Sequence, residues 1–441
     1  MPNEVIGEVI EKARTLSPEE ALKACGETEG LEDIAQRWDE SGAQMPCELP
    51  GYLTEAQWRE CREWGGLGPE VDEVLRRTAR AISQSPALLR LSWHCYWRVY
   101  LCPEACPPRG WPEFTVPLGD DAGVFYMLVG LGVIPLMREW HAELGIPEEV
   151  TRETAGQARC YCNDMYRAGH NGLPGMYINQ LGWMRHYTRE RYFRLGRLEY
   201  WLAPYAWDEL VFRHKTTGEV AAFAAEGMRF DRNGRVFADE AMYKDGEGWT
   251  ATIERTDTHV SGHLLHPDGH GTPRHVSLPL GGWEPVLKKG VMTLQMHIPS
   301  GGRMTPEACA DSILRASEFF PRHFPEDAPV AITCGSWIFS PCLEECLSAE
   351  SNLVRFQREL FLVPSAASGS DGLWFVFLRQ GIPDPETWPR NTSVQRAILD
   401  WIAPGNFWGA GRMFFMLEDA PRFGQQVYRN AWPPSVVRGR Q

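Results

Sequence analysis

The sequence predicts an α+β protein, with a helical first half followed by a mixed α/β sheet. Up to about residue 190, apolar residues recur at threes and fours with charges between them. Beyond that point, period-two alternation and glycine-containing turns take over. Towards the C-terminus, strand-like runs alternate with helical ones, the order of a mixed sheet. These shifts divide the chain into 1–190 and 191–441, with a central β-α-β-α unit over about 291–362. A length of 441 residues also exceeds what one core usually organises.

In the first half, EAQWRECREW, GPEVDEVLRRTARAISQ and PEEVTRETAGQARCYCNDMYRA each carry an apolar stripe at helical spacing. Trp93, Tyr96, Trp97 and Tyr100 recur at the same spacing and read as core. The run AGVFYMLVGLGVIPLM, residues 122–137, is too short to span a bilayer comfortably and carries three glycines and a proline, so a buried helix is expected. The N-terminal MPNEVIGEVIEKARTLSPEEALKAC scatters Glu and Lys through an amphipathic pattern and lacks the apolar core of a signal peptide, so a cytoplasmic protein is expected.

In the second half, YFRLGRLEYWL, LVFRHKTTGEVAAFAA, GWTATIERTDTHVSGHLL and GVMTLQMHIP read as antiparallel strands and hairpins. APVAITCGSWIF follows as a short apolar strand and LEECLSAESNLVRFQREL as a helix. FLVP and LWFVFL then read as strands, and SVQRAILDWI as a helix, with SAASGSDG a loop or hairpin tip.

The stretch LQMHIPSGGRMTPEACADSILRASEFF joins a strand to a helix through Ser300, Gly301 and Gly302. Thr305 is placed to cap the helix, Pro306 to occupy its first turn, and Ala308, Ile313, Ala316 and Phe320 to share a face. Small residues before a helix N-terminus let backbone N–H groups converge where the dipole favours an anion, usually a phosphate. An ordinary strand-to-helix loop has the same composition.

Composition excludes several classes of function. A net charge of −14, with no basic run, opposes a nucleic-acid backbone. The twelve cysteines are diluted over a long chain, and the pairs Cys102/Cys106, Cys160/Cys162 and Cys342/Cys346 lack the spacing of a zinc knuckle. His259, His263, His266, His270 and His275 crowd one segment, but its turn signals distribute them along a hairpin, so no metal centre is expected.

Several phrases resemble a bacterial family that joins a helical N-acyltransferase N-terminal domain to a GCN5-related N-acetyltransferase (GNAT)-like C-terminal domain. They are NQLGWMRHYTRERYFRLGRLEYW, HIPSGG, TPEAC with its later FF, CGSWIFSP, ESNLVRFQREL, PRNTSVQRAI and GAGRMFFML, spread over about residues 175–417. The resemblance implies acyl-CoA or acetyl-CoA as co-substrate, its pantetheine lying between diverging strands Leu294–Ile298 and Ala331–Trp337. Met296, Ile298 and Cys334 would then flank that arm, Ser300, Gly301, Gly302, Arg303 and Met304 would cradle the pyrophosphate, and Asn352 would meet the pantetheine. The family's usual G-x-G/A loop is absent here, and the tyrosine of the following helix is missing too, so the usual general acid is unassigned.

Acyl transfer to an amine needs a base, and His297 at the strand end suits proton transfer near neutral pH. Ser336 is a candidate to protonate the leaving thiolate or else a cap of the next turn. The expected activity is direct transfer of an acyl group to a small-molecule or peptide amine. Two alternatives remain at this stage. One is a GNAT-like binding or regulatory module without catalysis; the other, weaker, is a hydrolase using Cys334 or Ser336 with His297, for which CGSWI lacks the nucleophile-elbow pattern.

Overall fold

The computed structural model describes residues 3–102, 104–243 and 248–438. It divides into two compact units: one runs to Leu195 and includes Pro299–Gly301, and the other holds Gly196–Ile298 and continues from Gly302.

The first unit is helical. Helix α1 (Asp72–Gln84) buries Val74, Leu75, Thr78, Ala79 and Ile82, one stripe of its amphipathic pattern. Helix α2 (Pro86–Tyr96) starts at Ser85, whose hydroxyl accepts the Leu88 N–H, with Pro86 in the first turn, where its missing N–H costs nothing. Its aromatic stripe, continued in a π-helical turn at Trp97–Leu101, is core: Trp93, Trp97 and Tyr100 are buried, and Tyr96 stacks on Tyr52 with ring centroids 4.8 Å apart. The apolar run forms α3 (Ala122–Leu131), buried at every residue, and α4 (Val133–Glu143). A helix apolar all round belongs in the centre of a bundle, which is where the packing of this unit puts α3.

The second unit opens with β1 (Leu198–Pro204). A sheet follows from β2 (Leu210–His214), β3 (Val220–Phe223), β4 (Ile253–Arg255), β5 (His259–Leu265), β6 (Gly271–Pro279) and β7 (Trp283–Leu287). Its order is β7-β2-β3-β5-β4, with β6 paired to β5, and its core holds Leu210, Phe212, Phe223, Val260, Leu264, Leu278 and Trp283. The crowded histidines are spread over β5, β6 and the hairpin tip. At the tip, however, His266 and His270 both close on the Asp268 carboxylate, at 2.8 and 3.0 Å through Nδ1. Burial by itself would raise the Asp268 pKa, but those hydrogen bonds and charges hold it well below the usual range.

The central sheet is completed by β8 (Met292–His297), α5 (Pro306–His323), β9 (Ala331–Ser336), α6 (Cys342–Cys346), α7 (Asn352–Glu359), β10 (Phe361–Ser365), α8 (Leu373–Phe377), α9 (Ser393–Ile402) and β11 (Ala410–Met416). The strands of this unit lie in the order β1-β8-β9-β11-β10. Only β8 and β9 pair in parallel, joined by the crossover helix α5; the other neighbours are antiparallel. Two expectations are corrected. LWFVFL is not a strand: Leu373–Phe377 is helical, with Leu373 and Phe377, four apart, buried in a cluster with Leu343, Ile398, Leu399 and Trp408. A six-residue apolar run does not reveal its period, and here packing against α6 and α9 chooses it. The single helix expected over LEECLSAESNLVRFQREL is two, α6 and α7, interrupted at Leu347–Ser351.

Candidate functional site

The site is built at the C-terminal ends of the two parallel strands. Between β8 and β9 the ladder has two rungs, Leu294 with Ile332 and Gln295 with Thr333. Both strands continue beyond those rungs, but with other partners. β8 stays paired with β1 as far as His297 opposite Glu199, and β9 stays paired with β11 as far as Ser336 opposite Gly411. The two central strands therefore part after Gln295 and Thr333, leaving a cleft bordered by extended backbone.

Alternation assigns the side chains to faces. Leu294 and Met296 are buried on the face shared with Tyr200, whose hydroxyl lies 3.1 Å from Ser312 Oγ on α5; this face is covered by the helix. Thr293, Gln295 and His297 take the opposite face. Gln295 Nε2 donates to Thr333 Oγ1 at 2.7 Å, tying the strands together at their last rung. One step further, His297 Nδ1 lies 2.7 Å from Glu199 Oε2. The Glu199 side chain is fully buried and that of His297 is 25% exposed, so the imidazole bridges a carboxylate in the sheet and the surface of the cleft. On the same face, two strands away, Arg412 of β11 pairs with the buried Glu209 and lies 4.8 Å from the Trp207 ring. Burial raises the Glu209 pKa while Arg412 opposes the shift.

The other expected residues are not all brought together. Cys334 lies on the face opposite His297, buried in β9, and burial pushes its thiol up to about 12. Ser336 shares that face, and its Oγ accepts the Ile338 N–H at 3.3 Å, capping the next turn. Neither can act as the nucleophile of a hydrolase pair with His297 across the sheet. Asn352 is the first residue of α7, half-buried.

The loop after β8 is split between the units. Pro299–Gly301 belongs to the helical unit, where Ser300 Oγ donates to the Cys160 carbonyl at 3.4 Å. Gly301 has φ +92, and a Cβ there would lie 2.6 Å from Asp164 Oδ2. Gly302 has φ +82 but open surroundings, the nearest atom to a Cβ being Arg197 Cδ at 4.0 Å. Arg303 is exposed and Met304 buried, and Thr305 caps α5 by accepting the Ala308 N–H at 3.3 Å. Gly302 and Arg303 are thus exposed just before an 18-residue helix, an arrangement suited to an anion.

Sequence reasoning missed Glu199, which lies almost a hundred residues from His297. The available signal was a lone acid inside the apolar strand LEYWL, whose pairing register the sequence does not reveal.

Comparison with known proteins agrees with this fold. The family model described as GNAT-like C-terminal domain matches residues 192–415, and that of the N-acyltransferase N-terminal domain matches 58–189. Curated proteins provide no significant match. Among solved structures, the chain is similar to an acyltransferase in complex with decanoyl-CoA and teicoplanin. Identity is 25% and the TM-score 0.61, over 91% of this chain and 100% of that one. It is also similar to an acyltransferase mutant in complex with octanoyl-CoA, at 25% identity and TM-score 0.59, over 91% and 99% of the two chains.

Proposed function

The chain belongs to the GNAT-like C-terminal domain family, whose model spans more than half of it, and from that premise we propose that it moves an acyl group from acyl-CoA directly to an amine. The observation that carries the reading is the parting of β8 and β9 with His297 on one lip. Extended backbone on either side of such a cleft offers N–H and C=O groups to a pantetheine arm, which lies in it like a further strand. The pyrophosphate is assigned to the backbone of Gly302, Arg303 and Met304 at the start of α5, where N–H groups and the helix dipole favour negative charge. Arg303 adds a counter-charge.

The chemistry then balances within this cleft. The amine lone pair attacks the thioester carbon, a C–N bond forms, the C–S bond breaks, and the electron pair leaves on sulfur. His297 Nε2 takes the proton lost by the amine and returns it, directly or through solvent, to the thiolate. No covalent enzyme intermediate is required, consistent with a buried Cys334 on the wrong face. The related structures hold octanoyl-CoA or decanoyl-CoA, and one holds teicoplanin, so these donors and peptide-type amines are the first substrates to try.

The test is turnover of decanoyl-CoA with a panel of small-molecule and peptide amines, followed by mass spectrometry, because exposed Cys47 and Cys106 would react with thiol reagents. Amide product is expected, and His297→Gln should lower its rate by about 10²–10⁴-fold with CoA affinity nearly unchanged. CoA binding without turnover for any amine would favour a binding module instead, and equal turnover in His297→Gln would remove the base.

A further inference from the structure

We infer that Glu199 is the positioning residue for His297, holding the imidazole with Nδ1 protonated so that Nε2 is the basic nitrogen offered to the acceptor amine. This rests on the reading of His297 as the base, and it adds a residue that neither the motifs nor the family resemblance singles out.

Glu199 and His297 are directly opposed on antiparallel β1 and β8, so their side chains leave the sheet on the same face. The 2.7 Å separation of Oε2 and Nδ1 is that of a short, charge-assisted hydrogen bond. An ionised carboxylate can only accept, so Nδ1 carries the hydrogen and the neutral ring keeps its lone pair on Nε2. A fully buried carboxylate is costly unless a partner compensates it. At this end of the sheet, the imidazole at the lip of the cleft is one such partner.

The strand flanking β8 on the other side, β9, presents uncharged Thr333 at the last rung. Farther along the face, Arg412 is engaged by Glu209. When the amine proton reaches Nε2, the ring becomes a cation facing Glu199, and a fixed negative charge already in place stabilises it without reorganisation. Proton and electron bookkeeping are those of the direct transfer above; Glu199 stays ionised throughout.

The experiment compares Glu199→Gln, His297→Gln and the double variant in the full-length protein, using decanoyl-CoA and the best amine found. Glu199→Gln keeps the shape and an acceptor oxygen but removes the charge. Its kcat should fall about 10–100-fold with the KM for decanoyl-CoA unchanged, and the acidic limb of the kcat/KM profile should move to lower pH. The double variant should be no slower than His297→Gln, because both changes disable one unit. An unshifted pH profile in Glu199→Gln, with His297→Gln inactive, overturns the role of Glu199 while leaving the base in place. Undiminished turnover in His297→Gln removes the base, and the role of Glu199 with it, while acyl transfer itself stands. Should Glu199→Gln fail to fold, ¹⁵N NMR of histidine-labelled wild-type protein decides the matter: neutral His297 as the Nδ1–H tautomer supports the inference, and the Nε2–H tautomer overturns it.

Discussion

Two adjacent glycines in the loop after β8 separate a structural requirement from a binding one. Gly301 and Gly302 have φ of +92 and +82, where an L-residue costs about 1–2 kcal/mol. Replacing glycine by alanine recovers roughly 0.4–1 kcal/mol through the less flexible unfolded chain. Gly302→Ala therefore carries a net loss of about 0–1.6 kcal/mol, since a Cβ there meets nothing closer than Arg197 Cδ at 4.0 Å. Gly301→Ala adds a clash, with a Cβ 2.6 Å from Asp164 Oδ2, and forcing a packed group aside costs about 1–3 kcal/mol more. Binding should run the other way. Gly302 faces solvent at the start of α5, where a methyl group would occupy the approach of the pyrophosphate. Losing one hydrogen bond to a charged group costs about 1.5–3 kcal/mol, roughly a ten- to hundredfold weaker Kd for CoA. Urea unfolding reports the first quantity and titration calorimetry with CoA the second. Wild-type CoA affinity in Gly302→Ala would refute the phosphate site, and equal destabilisation by the two variants would refute the part played by Asp164.

Two other outcomes follow from buried titratable groups. His141 is buried in the helical unit with Nδ1 3.0 Å from Thr151 Oγ1, and burial lowers its pKa to about 4. Between the unfolded value near 6.5 and about 4 the unfolded chain binds a proton that the folded one does not. Stability from this group is therefore full above about pH 6.5 and falls with pH by about 1.4 kcal/mol per unit, some 3 kcal/mol in all. Urea midpoints from pH 7 to 4 should show this slope, reduced in His141→Gln; an unchanged slope would refute it. Cys334, with its pKa pushed up to about 12 by burial, should resist iodoacetamide in the native protein. Cys334→Ala should keep turnover within about threefold despite a small cavity, and an inactive but folded variant would point to an acyl-thioester intermediate.

The change from helical to alternating periodicity near residue 190 was legible because each half repeats one period over many turns or strands. The Thr305–Pro306 helix start was legible for the same local reason, since a cap and a first-turn proline depend only on neighbours. What failed was short and decided at a distance. The six residues LWFVFL satisfy a strand pattern, yet Leu373 and Phe377 are drawn into a helix by Leu343, Ile398 and Trp408, none of them near in sequence.

The same division applies to the site. His297 was picked out by its place at the end of the central strand and by the fitness of an imidazole for proton transfer near neutral pH. Glu199 was not, because its meaning lies in the β1–β8 register, and a slip of one residue would turn it to the face covered by α5. What holds that register is apolar: Leu198 and Tyr200 on β1 and Leu294 and Met296 on β8 are buried, while Ser312 on α5 meets both the Leu198 N–H and the Tyr200 hydroxyl at 3.1 Å. The packed face thus determines which residues meet on the opposite face. Burial of four apolar side chains against one helix sets a carboxylate beside an imidazole where the central strands part, and the chemistry proposed for the cleft depends on that packing as much as on the two residues themselves.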